Sequence, residues 1–125
     1  MDEKEVEAIK KLIEKAYIEG IHRTQDRETV ETGFHRDFRM LVLDNDELQK
    51  VSLDEWFPRV EKMKADNPVM WAGETEHKFH LVDVEGRAAV AKIEVHKNKQ
   101  YFSTDYMLLY RFEDGWKIVS KVFTF

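Results

Sequence analysis

The apolar positions of this chain follow two periods: helical steps near the N-terminus, and longer strand-like runs toward the C-terminus. Val6, Ile9, Ile13, Ala16 and Tyr17 recur at three- and four-residue steps, with Leu12 widening the stripe. Glu3, Lys4, Lys10, Lys11, Glu14 and Lys15 fill the opposite face. This predicts one amphipathic helix from residue 2 to about residue 20, with Gly20 as its stop. Asp26 is placed to cap a short second helix, Arg27 to Thr32, ended by Gly33. Phe34 to Asp37 reads as a connection. Phe38, Met40 and Val42 then alternate with Arg39 and Leu41, which predicts a strand over Phe38 to Leu43. Asp44-Asn45-Asp46 is a turn, and Glu47 to Val51 a short return strand. Ser52 and Glu55 form a capping box ahead of a helix that runs to about Ala65. Pro58 falls inside that helix, where it kinks or tightens the first turns.

Four strands follow. They are predicted over Glu74 to Val84, Arg87 to His96, and the two runs within Tyr101 to Phe125 that flank Glu113-Asp114-Gly115. Asp-Gly between such runs is a strong hairpin signal. The order is helices with a small hairpin, one more helix, then an antiparallel meander. The expected class is α+β in a single domain, residues 1–125, with helices packed on one face of a bent sheet.

Composition narrows the picture. The 125 residues contain no cysteine, which excludes disulfides and thiolate metal sites. The charged start carries no signal-peptide pattern, and no apolar run approaches a membrane span, so a cytoplasmic protein without membrane contact is expected. The formal net charge of −5 argues against nucleic-acid binding. Lys97-Asn98-Lys99 reads as a solvated turn. Eight Phe, four Tyr and three Trp exceed what a core of this size needs, so some are expected to line a cavity.

Several stretches carry a family resemblance. They are Ala88-Ala89-Val90-Ala91-Lys92, Phe102 to Leu109, and Asp114-Gly115-Trp116 through Phe123, joined in front by Phe34, His35, Asp37 and Phe38 and by the Ser52-capped helix with Trp56 and Phe57. The chain resembles the nuclear transport factor 2-like superfamily, and within it the SnoaL-like and "putative lumazine-binding" proteins. The resemblance implies a cone-shaped, strongly curved antiparallel sheet wrapped around N-terminal helices, a cystatin-like roll with a pocket at its wide end. It also implies a homodimer through the outer sheet face. Isomerases, dehydratases, cyclases and carrier domains share this fold, so the resemblance leaves the activity open.

Asp105 is the first candidate for chemistry. A carboxylate inside an aromatic strand needs a partner or a wet cavity, and either serves a ligand or pairs with a neighbouring cation. Lys121 is the second. A three-residue turn at 113–115 puts it on the same face as Asp105, and a two-residue turn at 114–115 puts it on the opposite face. Among His22, His35, His77, His80 and His96, His77 shares parity with Phe79 and Leu81 and is the inward candidate for a general base. Tyr17, Phe38, Trp56, Phe57 and Trp71 either wall a pocket or belong to the core. Ser103 and Ser120 lie in no nucleophile elbow. No histidine or carboxylate set has a metal-ligand spacing and no glycine loop cradles phosphate, so neither metal nor cofactor is expected.

Three functions remain. One is a ligand-binding domain for a small apolar or flat aromatic molecule, through Tyr17, Phe38, Trp56, Trp71, Asp105 and Lys121. Another is a cofactor-independent isomerase, dehydratase or cyclase with Asp105 or His77 as base. The last is a dimeric interaction protein marked by an exposed apolar row on the outer sheet face.

Overall fold

The computed structural model describes residues 3–125, so Met1 and Asp2, where the first helix was expected to begin, lie outside it. Helix α1 covers Glu3–Ile13, with Glu3 and Glu5 in its first turn. The winding then changes to a π-helix over Glu14–Thr24, which ends where Gln25 turns left-handed at φ 54°. Gly20 is therefore not the stop. A Cβ there would meet Val30 Cγ2 at 2.8 Å, so Gly20 lets the following helix α2, Arg27–Glu31, pack close. Asp26 caps α2 by accepting from the Thr29 amide at 3.1 Å.

Strand β1, Phe34–Asp44, starts four residues before the alternation at Phe38 suggested. Residues Asn45 and Asp46, both at positive φ, turn it into β2, Glu47–Val51. Helix α3, Leu53–Asp66, begins with the expected capping box: Ser52 Oγ accepts from the Glu55 amide at 3.2 Å, and Glu55 accepts from the Ser52 amide at 2.9 Å. A short helix α4, Pro68–Ala72, follows with its proline at the first turn, where the missing N–H costs nothing. The chain then folds into β3 (Thr75–Glu85), β4 (Ala88–Lys97), β5 (Gln100–Phe112) and β6 (Gly115–Thr124).

The six strands form one curved, unclosed sheet in the order β2-β1-β6-β5-β4-β3. All neighbours are antiparallel except β1 and β6, which run parallel. That long-range pairing brings the N-terminal hairpin beside the C-terminal strand, and no local pattern announces it. Register shifts in β1, in β3 near His80, at Phe102 in β5 and at Val119 in β6 bend the sheet. Its concave face packs on α1 and the π-helix through Ile9, Ile13, Tyr17, Ile93, Met107 and Leu109.

The last hairpin settles a question of faces in an unexpected way. Phe112 pairs with Gly115 across a Glu113-Asp114 turn, a register one residue away from the three-residue turn and outside both that the sequence allowed. Continued unbroken, it would put Asp105 and Lys121 on opposite faces. The bulge at Val119 adds one residue, so Met107 pairs with Lys121 and Asp105 with Phe123. Both ionisable residues therefore point inward. The bulge at His80 works the other way on β3: His77 and Phe79 stay half-buried, but Leu81 turns outward against the expected parity.

Candidate functional site

The concave end of the sheet, the π-helix and helix α3 enclose a cavity of about 460 Å³. Its walls are apolar and largely aromatic, with Tyr17 from the π-helix, Trp56 from α3, Trp71 from α4, and Phe102 and Phe123 from the sheet. Phe102 reaches it as the extra residue of the β5 bulge.

The π-winding is what aims the N-terminal residues here. Its i→i+5 hydrogen bonds bring Tyr17, Ile21 and His22 to one side, and all three line the cavity. In an α-helix, His22 would lie about 140° round the axis from Tyr17. His22 therefore escaped an α-helical reading of the sequence.

Behind the aromatic wall lies a buried polar group. Asp105 is 0% exposed and Lys121 3% exposed. The Tyr17 hydroxyl donates to Asp105 Oδ2 at 2.5 Å, and Lys121 Nζ stands 3.4 Å from Asp105 Oδ1. That contact is an ion pair without hydrogen-bond geometry, so Oδ1 has no hydrogen-bond partner. The ammonium also faces the rings of Phe123, Trp56 and Tyr17, at 4.1, 5.1 and 5.4 Å from their centroids. Burial pulls Lys121 below the ordinary lysine value, and Asp105 opposes this without cancelling it. Tyr17 is held well above the ordinary tyrosine value, first by burial and then by the charge and hydrogen bond of Asp105. Ser103 lies near enough to work against that shift but closes no hydrogen bond.

Of the sequence-derived candidates, Tyr17, Trp56, Trp71 and Lys121 line the cavity. Asp105 does not line it; it lies beneath Tyr17 and Lys121. Phe38 is core rather than cavity wall: it is fully buried, stacked under Trp56 at 5.7 Å and edge-on to Phe34 at 4.8 Å. His77 joins neither Asp105 nor the cavity, because its Nε2 pairs with Glu14 at 2.9 Å on the helix side of β3. Asp105 and His77 therefore form no dyad. Among the described residues, no group of three or more His, Asp or Glu side chains is arranged to hold a metal.

Lys97 departs most from expectation. It continues the inward parity of Ala91, Ile93 and Val95 and is 0% exposed, instead of lying in a solvated turn. Its Nζ donates to Thr75 Oγ1 at 3.0 Å and to the His22 carbonyl at 3.4 Å, and stands 3.8 Å above the Trp71 ring.

The family pattern described as "Putative lumazine-binding" matches residues 4–124, nearly the whole chain. The chain belongs to this family. Solved relatives agree on the fold. A nuclear transport factor 2-like protein of unknown function from Shewanella baltica is 23% identical, with a TM-score of 0.77 over 99% of this chain and 95% of that one. One from Silicibacter pomeroyi, also of unknown function, is 22% identical, with a TM-score of 0.78 over 99% and 98%. A cystatin-like domain of unknown function from Nostoc punctiforme is 15% identical, with a TM-score of 0.68 over 99% and 78%. No curated protein matches the chain in sequence. The family is thus nuclear transport factor 2-like in fold, as the resemblance implied. None of the described helices is long and apolar enough to cross a membrane.

Proposed function

We propose that this family member is a small-molecule-binding domain whose ligand is flat and largely apolar. The observation that carries the reading is the cavity of about 460 Å³ walled by Tyr17, Trp56, Trp71, Phe102 and Phe123. That volume falls within the range of small-molecule sites, and such sites combine apolar walls with few polar groups. The description of the family points the same way, since lumazine is a flat bicyclic heteroaromatic. The test is saturable quenching of tryptophan fluorescence by 6,7-dimethyllumazine and by naphthalene derivatives. Binding that weakens at least tenfold in Trp56→Leu supports the reading. No saturable binding of any flat probe refutes it.

Turnover by a cofactor-independent isomerase, dehydratase or cyclase is the weaker reading. Asp105 is engaged by Tyr17 and Lys121 behind the wall, and His77 is engaged by Glu14 elsewhere. Neither is presented to a ligand in the cavity as a free base.

A specific observation favours self-association alongside binding. Tyr106, Leu108 and Tyr110 on β5 and Val122 on β6 are exposed together on the convex face. An isologous dimer would lay this apolar row against its own copy. Light scattering should return a dimer mass for the wild type and a monomer for Leu108→Glu. A wild-type monomer at tens of micromolar would refute it. A cytoplasmic setting belongs to the same proposal, supported by the cysteine-free sequence.

A further inference from the structure

One end of the cavity combines unpartnered polar groups with excess positive charge. His22 is 4% exposed, yet neither ring nitrogen has a hydrogen-bond partner among the described residues. The same holds for Trp71 Nε1 and Ser103 Oγ, and all three residues line the cavity. Their shared capacity is donation: an indole N–H, a hydroxyl, and at least one imidazole N–H. A buried donor left unpaired is costly, so what is missing here is an acceptor.

The charges nearby have the complementary sign. Four cations surround His22: Arg23 on the π-helix itself, Lys64 on α3, Lys97 on β4 and Lys121 on β6, while α4 and β5 bring the rings of Trp71 and Phe102. On the far side of the His22–Trp71 stack, Arg23 and Lys64 border a second hollow of about 300 Å³. Arg23 donates to the Thr75 carbonyl at 2.8 Å and pairs with Glu19, and Lys64 donates to Gln25 Oε1 at 2.7 Å. Among the described residues, Asp105 is the one buried carboxylate, and it is taken by Tyr17 and Lys121. Asp66, at the cavity rim, is paired with Lys62 at 3.1 Å. Among the described residues, no carboxylate pairs with Lys97 or Lys64. The titration behaviour agrees. His22 is held well below the ordinary value by burial first, then by Lys97, Lys121 and Arg23. Lys97 is lowered to about 8 by burial, then by Arg23 and Lys64.

We propose that the His22, Trp71 and Ser103 end of the cavity is a carboxylate subsite, and that the ligand is a flat organic acid whose ring lies among the aromatic walls. This rests on the ligand-binding reading above and narrows it to an acid. The polar atoms are covered by surrounding rings, so the side chains rotate to meet the carboxylate. The field of Lys97, Lys121 and Arg23 then discriminates against a neutral or cationic isostere.

The test compares 2-naphthoate with 2-naphthamide by calorimetry at pH 7. The two share a ring system and differ in charge. The wild type should prefer the acid at least tenfold. Trp71→Phe keeps a ring and removes the N–H, and Ser103→Ala removes the hydroxyl. Each should cut the acid-to-amide affinity ratio, measured within the same variant, several-fold. Lys64→Met, on a partly exposed side chain that folding tolerates, should reduce the preference too. Equal binding of acid and amide overturns the carboxylate subsite and leaves the binding cavity standing. A preference that survives all three variants overturns the residue assignment. Failure of both probes overturns this inference together with the reading beneath it.

Discussion

Asp105→Asn is the sharpest test of how the polar group under the cavity works. The amide nearly matches the carboxylate in shape and still accepts from the Tyr17 hydroxyl, so the change removes charge and little else. What remains is Lys121, 3% exposed, with no counter-charge. At the observed 3.4 Å, the lost attraction is about 5 kcal/mol for an effective dielectric of about 20. Breaking a buried pair from one side costs roughly 3–5 kcal/mol in comparable cases. Lysine has an escape, because it can shed its proton. Relative to the ordinary value of 10.5, deprotonation costs about 1.36 kcal/mol per pH unit, or about 4 kcal/mol at pH 7.5. The expected loss is therefore about 3–4 kcal/mol at pH 7.5, falling by about 2.7 kcal/mol at pH 9.5. For a domain of 125 residues this lowers Tm by roughly 11–15 °C near neutral pH. Urea denaturation followed by circular dichroism at the two pH values measures it, with a constant m-value confirming that both states are comparable. Adding Lys121→Met to Asp105→Asn should recover most of the loss, since no buried charge is then left alone. A single-variant cost below about 1 kcal/mol at pH 7.5, or a cost that ignores pH, would refute the reasoning.

Other regions make independent predictions. Ser52→Ala removes the side-chain half of the α3 capping box and should cost about 1 kcal/mol in urea melts, with Ser52→Gly closer to wild type. Gly20→Ala ought to gain helix propensity. Instead it should lose about 1–2 kcal/mol, because the new methyl meets Val30 Cγ2 at 2.8 Å and the Val30 amide nitrogen at 3.2 Å; a stabilised variant would show that α2 yields freely. Lys97 titrates at about 8 in the folded protein and near 10.5 when unfolded, so between those values the unfolded chain binds more protons and stability rises with pH. Burial of Lys121 pulls in the same direction. The urea midpoint should therefore climb from pH 7.5 to pH 10 at fixed ionic strength, and Lys97→Met should flatten part of that climb.

Local signals in the sequence were enough for the class and most of the elements, but not for the end of the first helix, the start of β1 or helix α4. Short-range physics governs an amphipathic stripe, a serine capping box, an Asp26 cap and strand alternation, and each is written within a few neighbouring residues. The aromatic surplus likewise foreshadowed a cavity, with Tyr17, Trp56, Trp71 and Lys121 on its wall. What tertiary structure decided is parity and aim. The i→i+5 winding of Glu14–Thr24 turns His22 inward beside Tyr17, and helical periodicity contains no sign of it. The bulge at Val119 brings Lys121 onto the face of Asp105 after the turn alone had separated them, and the bulge at His80 turns Leu81 outward. Lys97 is buried because β4 runs one residue past its expected end at His96 and keeps the inward parity of Ile93 and Val95, so the strand's pleat outweighs the lysine's preference for water. Phe38 was placed on the cavity wall by its apolar character, but the stack with Trp56 puts it one layer too deep. One added residue in a strand reverses every side chain beyond it, at a position that composition does not mark. That is why the fold could be read along the chain, while the site depended on how distant segments came to pack.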